Sequence, residues 1–497
     1  METPRMTAED NAVPAKGVEG ERKHDPGFPP KLLEFMRTGW GDSTIPDLRE
    51  LAQARNHARR RDQLSAAFPG ETLVIPTGAE HRRANDTFFR FRPGSDFAWL
   101  TGDYDPESVL VLHPTDGGGH DAVLYRRPRK SRETDEFFRS AQYGELWVGR
   151  QLSLDEKATL LGIECRDLAE LEAVLAALDD AKARVLRGLD AAVDKAIAAT
   201  GEGERDKELA EILSELRAIK DEWEIAQLQD AIDATVRGFE DVARVLPSDR
   251  GVSERLIEGI FQLRARHDGN DVGYSSIVGA GSHATTLHWI TNDGRTTPGD
   301  LLLMDMGVEN EHLYTADVTR TVPVNGTFTD LQRQVYDLVY ASQQAGIDAI
   351  RPGLIYKEIQ QVTMRVLAEG LADLGLLPSS VEEAMDPDSQ VYRRWTLHSF
   401  GHMLGLDVHD CASARREHYQ DGEFKPGHVV TVEPGLYFQA DDELVPDELR
   451  GLGVRIEDDI LVTDTGSKNL SDGLPRKSHE VESWLAEQRD AGARLPG

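Results

Sequence analysis

The sequence predicts two structured parts, an N-terminal α/β domain followed by an α+β domain with a curved, mostly antiparallel sheet. Three patterns point there. From about residue 41 to 155, short runs rich in Val, Ile, Phe and Leu alternate with helical stretches; from about 155 to 247, Ala- and Leu-rich helix patterns dominate. From 270 onward, strand-like runs cluster around two long helix candidates instead of alternating with them strictly. At 497 residues the chain has room for two or three domains, each with its own core.

In chain order, residues 1 to about 30 carry five prolines and little periodic hydrophobicity, which predicts a flexible or loosely packed arm over 1–40. From Lys31 to about Ala67, LLEFM and LRELAQARNHARRRDQL read as helical, with Leu48, Leu51 and Ala52 starting an apolar face. ETLVIPTG, TFFRFRPGSDFAWLTG and SVLVLHP read as short strands separated by Pro, Gly and Asp turns. The glycines at 117–119 lack a following Lys-Ser/Thr and helix, so they read as a hairpin turn and not as a phosphate loop. LEAVLAALDDAKARVLRGLDAAVDKAIAAT reads as helical up to a break at GEG, after which Leu209, Ile212, Leu213, Leu216 and Ile219 form an apolar stripe. Ile225, Leu228, Ile232, Val236 and Phe239 continue it, and such a stripe predicts core packing. The expected boundary lies near 215–222, giving domains of 41–218 and 219–490. Beyond it, YSSIVGAG, LLLMDMGVE, HLYTADVTRTVPV, VVTVEPGLY and GVRIEDDILVTD read as strands, and 330–350 and 355–375 as helices.

A formal net charge of -32, from 88 acidic and 56 basic residues, repels phosphate backbones, and no basic stripe with aromatic residues overrides it. Nucleic acid is therefore an unexpected partner. No apolar run is long enough to span a bilayer and the N-terminus lacks the pattern of a signal peptide, so no membrane partner and a cytoplasmic location are expected. Two cysteines, Cys165 and Cys411, exclude a disulfide framework or thiolate cluster.

Five residues in five separate motifs are candidates for one metal site: Asp305 in LLLMDMG, Asp317 in YTADVTRT, His402 in SFGHMLGLDVHD, Glu433 in VVTVEPGLY and Glu457 in GVRIEDDI. A carboxylate among strand-forming neighbours costs free energy unless compensated, and five such positions compensate one another most simply by sharing cations. Four carboxylates and an imidazole suit manganese, magnesium or zinc better than copper or an iron–sulfur cluster. Each residue alone has a plainer reading: a turn cap or partner of Arg320 for the aspartates, a packed ring for His402, a solvated strand end for the glutamates. An antiparallel hairpin through ENEH would bring Asp305 and Asp317 together, and alternation along GVRIEDDIL would put Arg455 and Glu457 on one face, Ile456 and Asp458 on the other. Together the motifs predict a dinuclear metal enzyme.

The order Asp, Asp, His, Glu, Glu in these motifs resembles the methionine aminopeptidase and proline peptidase superfamily, and within it the bacterial aminopeptidase P family most closely. The resemblance covers roughly 60–490: RANDTFFRFRPGSDFAWLTG is similar to that family's N-terminal domain and ELRAIKDEWEIAQLQDAI to its interdomain helix. It implies a pita-bread catalytic domain and removal of the first residue from peptides with proline second. Asp305 would hold one metal, His402 and Glu433 the other, and Asp317 and Glu457 both, with a water or hydroxide between the metals as nucleophile. Glu433 would also shuttle the proton to the leaving nitrogen. His288 in TLHWI, His398 and His409 match helper histidines that position peptide and oxyanion; Tyr437, Arg455 and Tyr274 match residues that orient ligands and line the pocket. The resemblance further implies two divalent ions, manganese first and zinc, cobalt or magnesium as alternatives, and a homo-oligomer, dimer or tetramer. The Asp305–Asp317 spacing is one residue longer than usual for the family, which predicts a bulged turn, and a family tryptophan that reaches a neighbouring subunit would fall near Ala98-Trp99. Dipeptide-only prolidase activity and a non-catalytic peptide-binding protein are the alternatives the resemblance leaves.

Overall fold

The structure, a computed structural model, describes residues 27–198, 203–246 and 249–493. These fall into two compact units that meet between Leu213 and Ser214, inside the helix Glu204–Ala218.

The first unit is built on a five-stranded mixed sheet. Its middle strand, Val109–Pro114, runs antiparallel to Thr72–Pro76 on one side and to His120–Arg126 on the other, while Ala183–Val185 and Glu164–Asp167 add parallel edges. Thr72–Pro76 is buried along its whole length, as a near-continuous apolar run covered on both faces should be. The three glycines do close a hairpin, with Pro114 opposite His120 and Gly118 at φ 88°. Val74, Val111, Val123, Leu171, Leu175 and Val185 share the core.

Four expectations fail in this unit. The helical stretch from 31 to 67 is two helices, Pro30–Met36 and Ala54–Ala67; Pro46 and the left-handed Asp47 (φ 58°) lie between them, so Leu48, Leu51 and Ala52 start no helical face. The run TFFRFRPGSDFAWLTG supplies only the two-residue strand Thr87–Phe88; Ser95–Thr101 is a helix, stopped by Gly102 in the left-handed conformation (φ 69°). Strands Glu164–Asp167 and Ala183–Val185 interrupt the stretch read as helical, being too short to show a two-residue period. Trp99 is buried (2 % exposed) beneath Arg60, so it cannot reach another chain; Trp147, between Leu146 and Val148, is half exposed. Of the expected arm, residues 1–26 lie outside the described residues, while Phe28 and Trp40 pack on Phe138 and Phe137. Part of the GEG break also lies outside them.

In the second unit every strand pairing among the described residues is antiparallel. Leu301–Met306 lies between Ile277–Ala280 and Val318–Pro323, and Asp458–Val462 lies between Val429–Val432 and Ser467–Asn469. The helices Glu222–Val245, Glu254–Asp268, Asp330–Ala349, Tyr356–Asp373 and Ser478–Ala491 contribute to one large core with these strands. The long stripe belongs to two helices: Asp221 caps the second through a capping box with Glu224, and Ile219 in the gap is 45 % exposed instead of core.

Two features of these strands place the candidate site. Asp305 pairs with Thr319, two residues from Asp317, so alternation puts both aspartates on one face. The turn between them contains Leu313 with a left-handed φ of 69°, and the Asn310 side chain accepts from the amides of His312 and Tyr314. The run GVRIEDDIL is not one strand: Gly453–Arg455 pairs with Gly435–Tyr437, Asp458–Val462 pairs with Val429–Val432, and Ile456-Glu457 interrupts them opposite Glu433-Pro434. Val432 faces Asp458 and Gly435 faces Arg455, so one register spans the gap and sets Glu433 opposite Glu457. Asp458, on the face opposite Glu457, is buried in an ion pair with Arg320 at 2.7 Å.

Candidate metal centre

Carboxylates directly opposite each other repel, and Glu457 is buried at 1 % exposure. What holds it is small: Thr319 Oγ1 donates to Glu457 Oε2 at 2.6 Å, and Arg455 Nε in turn donates to Thr319 Oγ1 at 3.2 Å. Burial, then the charges of Asp317, Glu433 and Asp305, push the Glu457 carboxyl well above the usual range. Asp317, His402 and Glu457 each offer a ligand atom, all within 4.8 Å of one another. His402 Nε2 lies 3.3 Å from Asp317 Oδ2 and 3.4 Å from Glu433 Oε1.

The ring of His402 is oriented for this contact. Its Nδ1 faces the Met403 carbonyl at 3.1 Å, which leaves Nε2 for the carboxylates. Burial alone would depress His402, but the hydrogen bond to Asp317 and the charge of Glu433 outweigh it and lift the ring to about 9. Glu433 moves to about 7, chiefly through burial, with the positive His402 opposing and Asp317 adding. Thr431 Oγ1 donates to Glu433 Oε1 at 3.3 Å and accepts from the His402 amide at 3.0 Å, so one hydroxyl sets two candidate ligands.

Asp305 is held from its own side. Tyr274 donates to its Oδ1 and Arg455 Nη2 to its Oδ2, each at 2.6 Å. Arg455 Nη1 also donates to the Tyr437 hydroxyl at 2.9 Å, which lies 2.7 Å from His398 Nε2. His398 Nδ1 faces the Ser399 carbonyl at 2.8 Å, so the ring donates there and takes the Tyr437 proton on Nε2. Burial, then the neighbouring Arg455, depress His398 to about 3, which keeps it neutral. His409 packs edge-on against His402, ring centroids 4.3 Å apart, and burial also lowers it. Asp410, beside it, is buried against Lys220 at 3.1 Å, which anchors that loop. His288 is exposed, close enough to His398 and His409 to act electrostatically on both.

All eleven predicted residues thus lie in the second unit, and ten form one contact network around two poles, Asp305–Arg455–Tyr437–His398 and Asp317–His402–Glu433–Glu457, with Thr319 between them, while His288 is linked to it electrostatically through His398 and His409. Three contributors were not anticipated. Thr319 and Thr431 hold the glutamates, and Asp459 accepts from the Asp317 amide at 3.1 Å while its Oδ1 has no partner among the described residues. The doubled aspartate after Glu457 was their one visible trace in the sequence.

The donor set fits divalent cations. Three buried carboxylates, Asp305, Asp317 and Glu457, and the partly buried Glu433 converge with Arg455 and the raised His402 as their positive partners among the described residues, and oxygen-rich sets with one imidazole are what such ions take.

Comparison with known proteins agrees. The model of metallopeptidase family M24 matches residues 226–464, and that of the aminopeptidase P N-terminal domain matches 57–186. Xaa-Pro aminopeptidase 1 of Streptomyces coelicolor is 53 % identical over 97 % of this chain and 98 % of its own length. The chain belongs to metallopeptidase family M24. Among solved structures, aminopeptidase P from E. coli with the inhibitor Pro-Leu superposes with a TM-score of 0.78 at 31 % identity, covering 89 % of this chain and all of that one. Proline aminopeptidase P II from Yersinia pestis gives 0.76 at 31 % identity, over 87 % and 99 %. The second unit therefore has the pita-bread catalytic fold of the M24 family and the first carries the aminopeptidase P N-terminal domain. Among the described residues no helix is long and apolar enough to cross a membrane.

Proposed function

We propose that the chain is a two-metal aminopeptidase that releases the first residue of peptides with proline in second position. The observation that carries this reading is the convergence of Asp317, His402 and Glu457 within 4.8 Å, in a chain 53 % identical to a Xaa-Pro aminopeptidase along nearly its whole length. Asp305 would hold one ion, His402 and Glu433 the other, and Asp317 and Glu457 both. When bound, the ions supply Lewis acidity at the scissile carbonyl and make a water acidic enough to attack near neutral pH.

The chain's own groups do the rest. Glu433 is the acid–base group: a carboxylate beside the His402 ring at 3.4 Å and His398 at 3.5 Å is placed to take a proton from the attacking water and return it to the leaving nitrogen. The return matters because the amide nitrogen of a prolyl residue carries no hydrogen and must gain a proton to leave. Neutral His398, fixed by Tyr437 and Ser399, would orient the peptide beside Glu433, from which its Nδ1 is 3.5 Å away. His288 and His409 border the same space and would donate to the developing oxyanion. Arg455 and Tyr274 hold Asp305 in place. We extend the reading to manganese as the working ion, to a dimer or tetramer, and to a cytoplasmic enzyme.

The test is metal analysis beside hydrolysis of an Arg-Pro-Pro tripeptide and a Gly-Pro dipeptide. We expect two ions per chain and cleavage of the tripeptide. Activity confined to the dipeptide, or less than one ion per chain and no activity after manganese addition, would sink the reading.

A further inference from the structure

A groove of about 830 Å3 opens in the second unit, walled by residues 375–378, 387–397 and Leu444. Its rim leaves large apolar side chains open: Val391 is 36 %, Leu397 58 % and Leu444 67 % exposed. Such a cluster in a chain of net charge -32 serves binding better than solubility.

The groove adjoins the catalytic centre at one wall: Leu397 lines it and is followed directly by His398, while Leu444 stands in the other wall. Asp442 braces them: Trp395 Nε1 donates to its Oδ2 at 3.1 Å, and the Leu444 amide to its Oδ1 at 3.0 Å. The Leu397 end of the groove thus lies next to His398, which contacts Tyr437 at 2.7 Å.

The groove also holds an uncommitted cation. Arg394 is neutralised by Asp442 at 2.8 Å, but among the described residues Arg393 donates to neutral acceptors alone, Gln390 Oε1 and the Leu397 carbonyl, each at 3.0 Å. Gln390, which steadies it, has a left-handed φ of 46°, a conformation that costs free energy and concentrates at binding sites.

We propose that this groove receives the part of a peptide substrate that follows the proline, its apolar side chains on Leu397 and Leu444 and its terminal carboxylate on Arg393. The proposal rests on the aminopeptidase reading and adds a length preference to it. Most of so acidic a surface would repel a peptide's C-terminus, so an arginine with no carboxylate partner among the described residues, set beside an apolar strip, discriminates.

The test is a ladder of Ala-Pro-led peptides of three to eight residues, as free acids and as amides, with the metal-loaded full chain. KM should fall by about 5- to 10-fold at the length where the carboxylate reaches Arg393, and amidation there should raise it about 3-fold. Arg393→Gln should erase the acid–amide difference, and Leu444→Asp should flatten the ladder, with kcat following wild type in each case. A ladder that is flat in the wild type, or unmoved by both variants while tripeptides are still cleaved, overturns the groove and leaves the aminopeptidase reading standing. Cleavage of no peptide overturns both. If Leu444→Asp changes the sedimentation coefficient to that of a smaller assembly, the groove is instead an interface between copies, and the proposal fails.

Discussion

Glu433 stands where the strand ladder breaks, 3.4 Å from the His402 ring and opposite Glu457, and burial lifts its carboxyl to about 7. Replacing Glu433 with Ala removes the acid–base group and one candidate ligand together. We expect kcat/KM for a Xaa-Pro tripeptide to fall by about 10³-fold or more, with fewer ions retained on gel filtration and an unchanged circular dichroism spectrum. Activity within tenfold of wild type would contradict the role. Tyr437→Phe is the complementary case, since the ring stays and only the hydroxyl between Arg455 and His398 is lost. Because Arg455 keeps Asp305, ion content should hold while kcat/KM drops about 10-fold, in the range of a lost hydrogen bond to a charged group. Loss of metal in that variant would assign Tyr437 to ligand support instead. At this scale the sequence was informative about residues with distinctive chemistry in distinctive motifs, the two aspartates, the histidines and the glutamates. It was silent on Thr319, Thr431 and Asp459, because a hydroxyl or carboxyl on a strand shows its partner only once the strands are paired.

Elements with many consistent residues were legible, and short ones were not. The helix Glu222–Val245 showed its stripe and the Asp305–Asp317 hairpin its two arms, whereas Ala183–Val185 has too few residues for any period to emerge. GVRIEDDIL differs in one respect: it is two strands that meet at Ile456-Glu457, yet the alternation read through it holds, since Arg455 and Glu457 share Thr319 while Asp458 pairs with Arg320. How closely these strands approach is visible at Gly307, which follows the Asp305 strand. A Cβ there would overlap the carbonyl oxygen of Ala316, a backbone atom that no side-chain rotation can move aside. Gly307→Ala should therefore cost about 3 kcal/mol in a denaturant titration, at the upper end for overpacking, and shift the Asp317 arm enough to weaken metal binding. A loss below about 0.5 kcal/mol would mean that the arm yields freely and does not hold Asp317 in register.

For the whole molecule, the cluster makes the stability of the metal-free protein depend on pH with a sign that can be worked out. His402 is raised from 6.5 to about 9, Glu433 from 4.5 to about 7, and Glu457 well above 4.5. Each group binds protons more tightly folded than unfolded, so the stability it contributes is complete below its unfolded pKa and disappears as pH rises through its folded one. His398 and His428, both depressed to about 3, act in the opposite sense, but only where unfolded histidine is still protonated, below about pH 7. Between about pH 7.5 and 9 the depressed histidines are neutral in both states, and His402, raised to about 9, leaves a net fall in stability with rising pH. Chelated protein should thus show a melting temperature that declines across that window. Reloading with manganese should flatten the decline, because ligands must lose their protons to bind an ion and binding therefore gains as pH rises. Calorimetry of chelated and reloaded protein at several pH values decides the matter: a chelated melting temperature that climbs from pH 7.5 to 9 would mean that the carboxylates and His402 do not share the buried cluster described here.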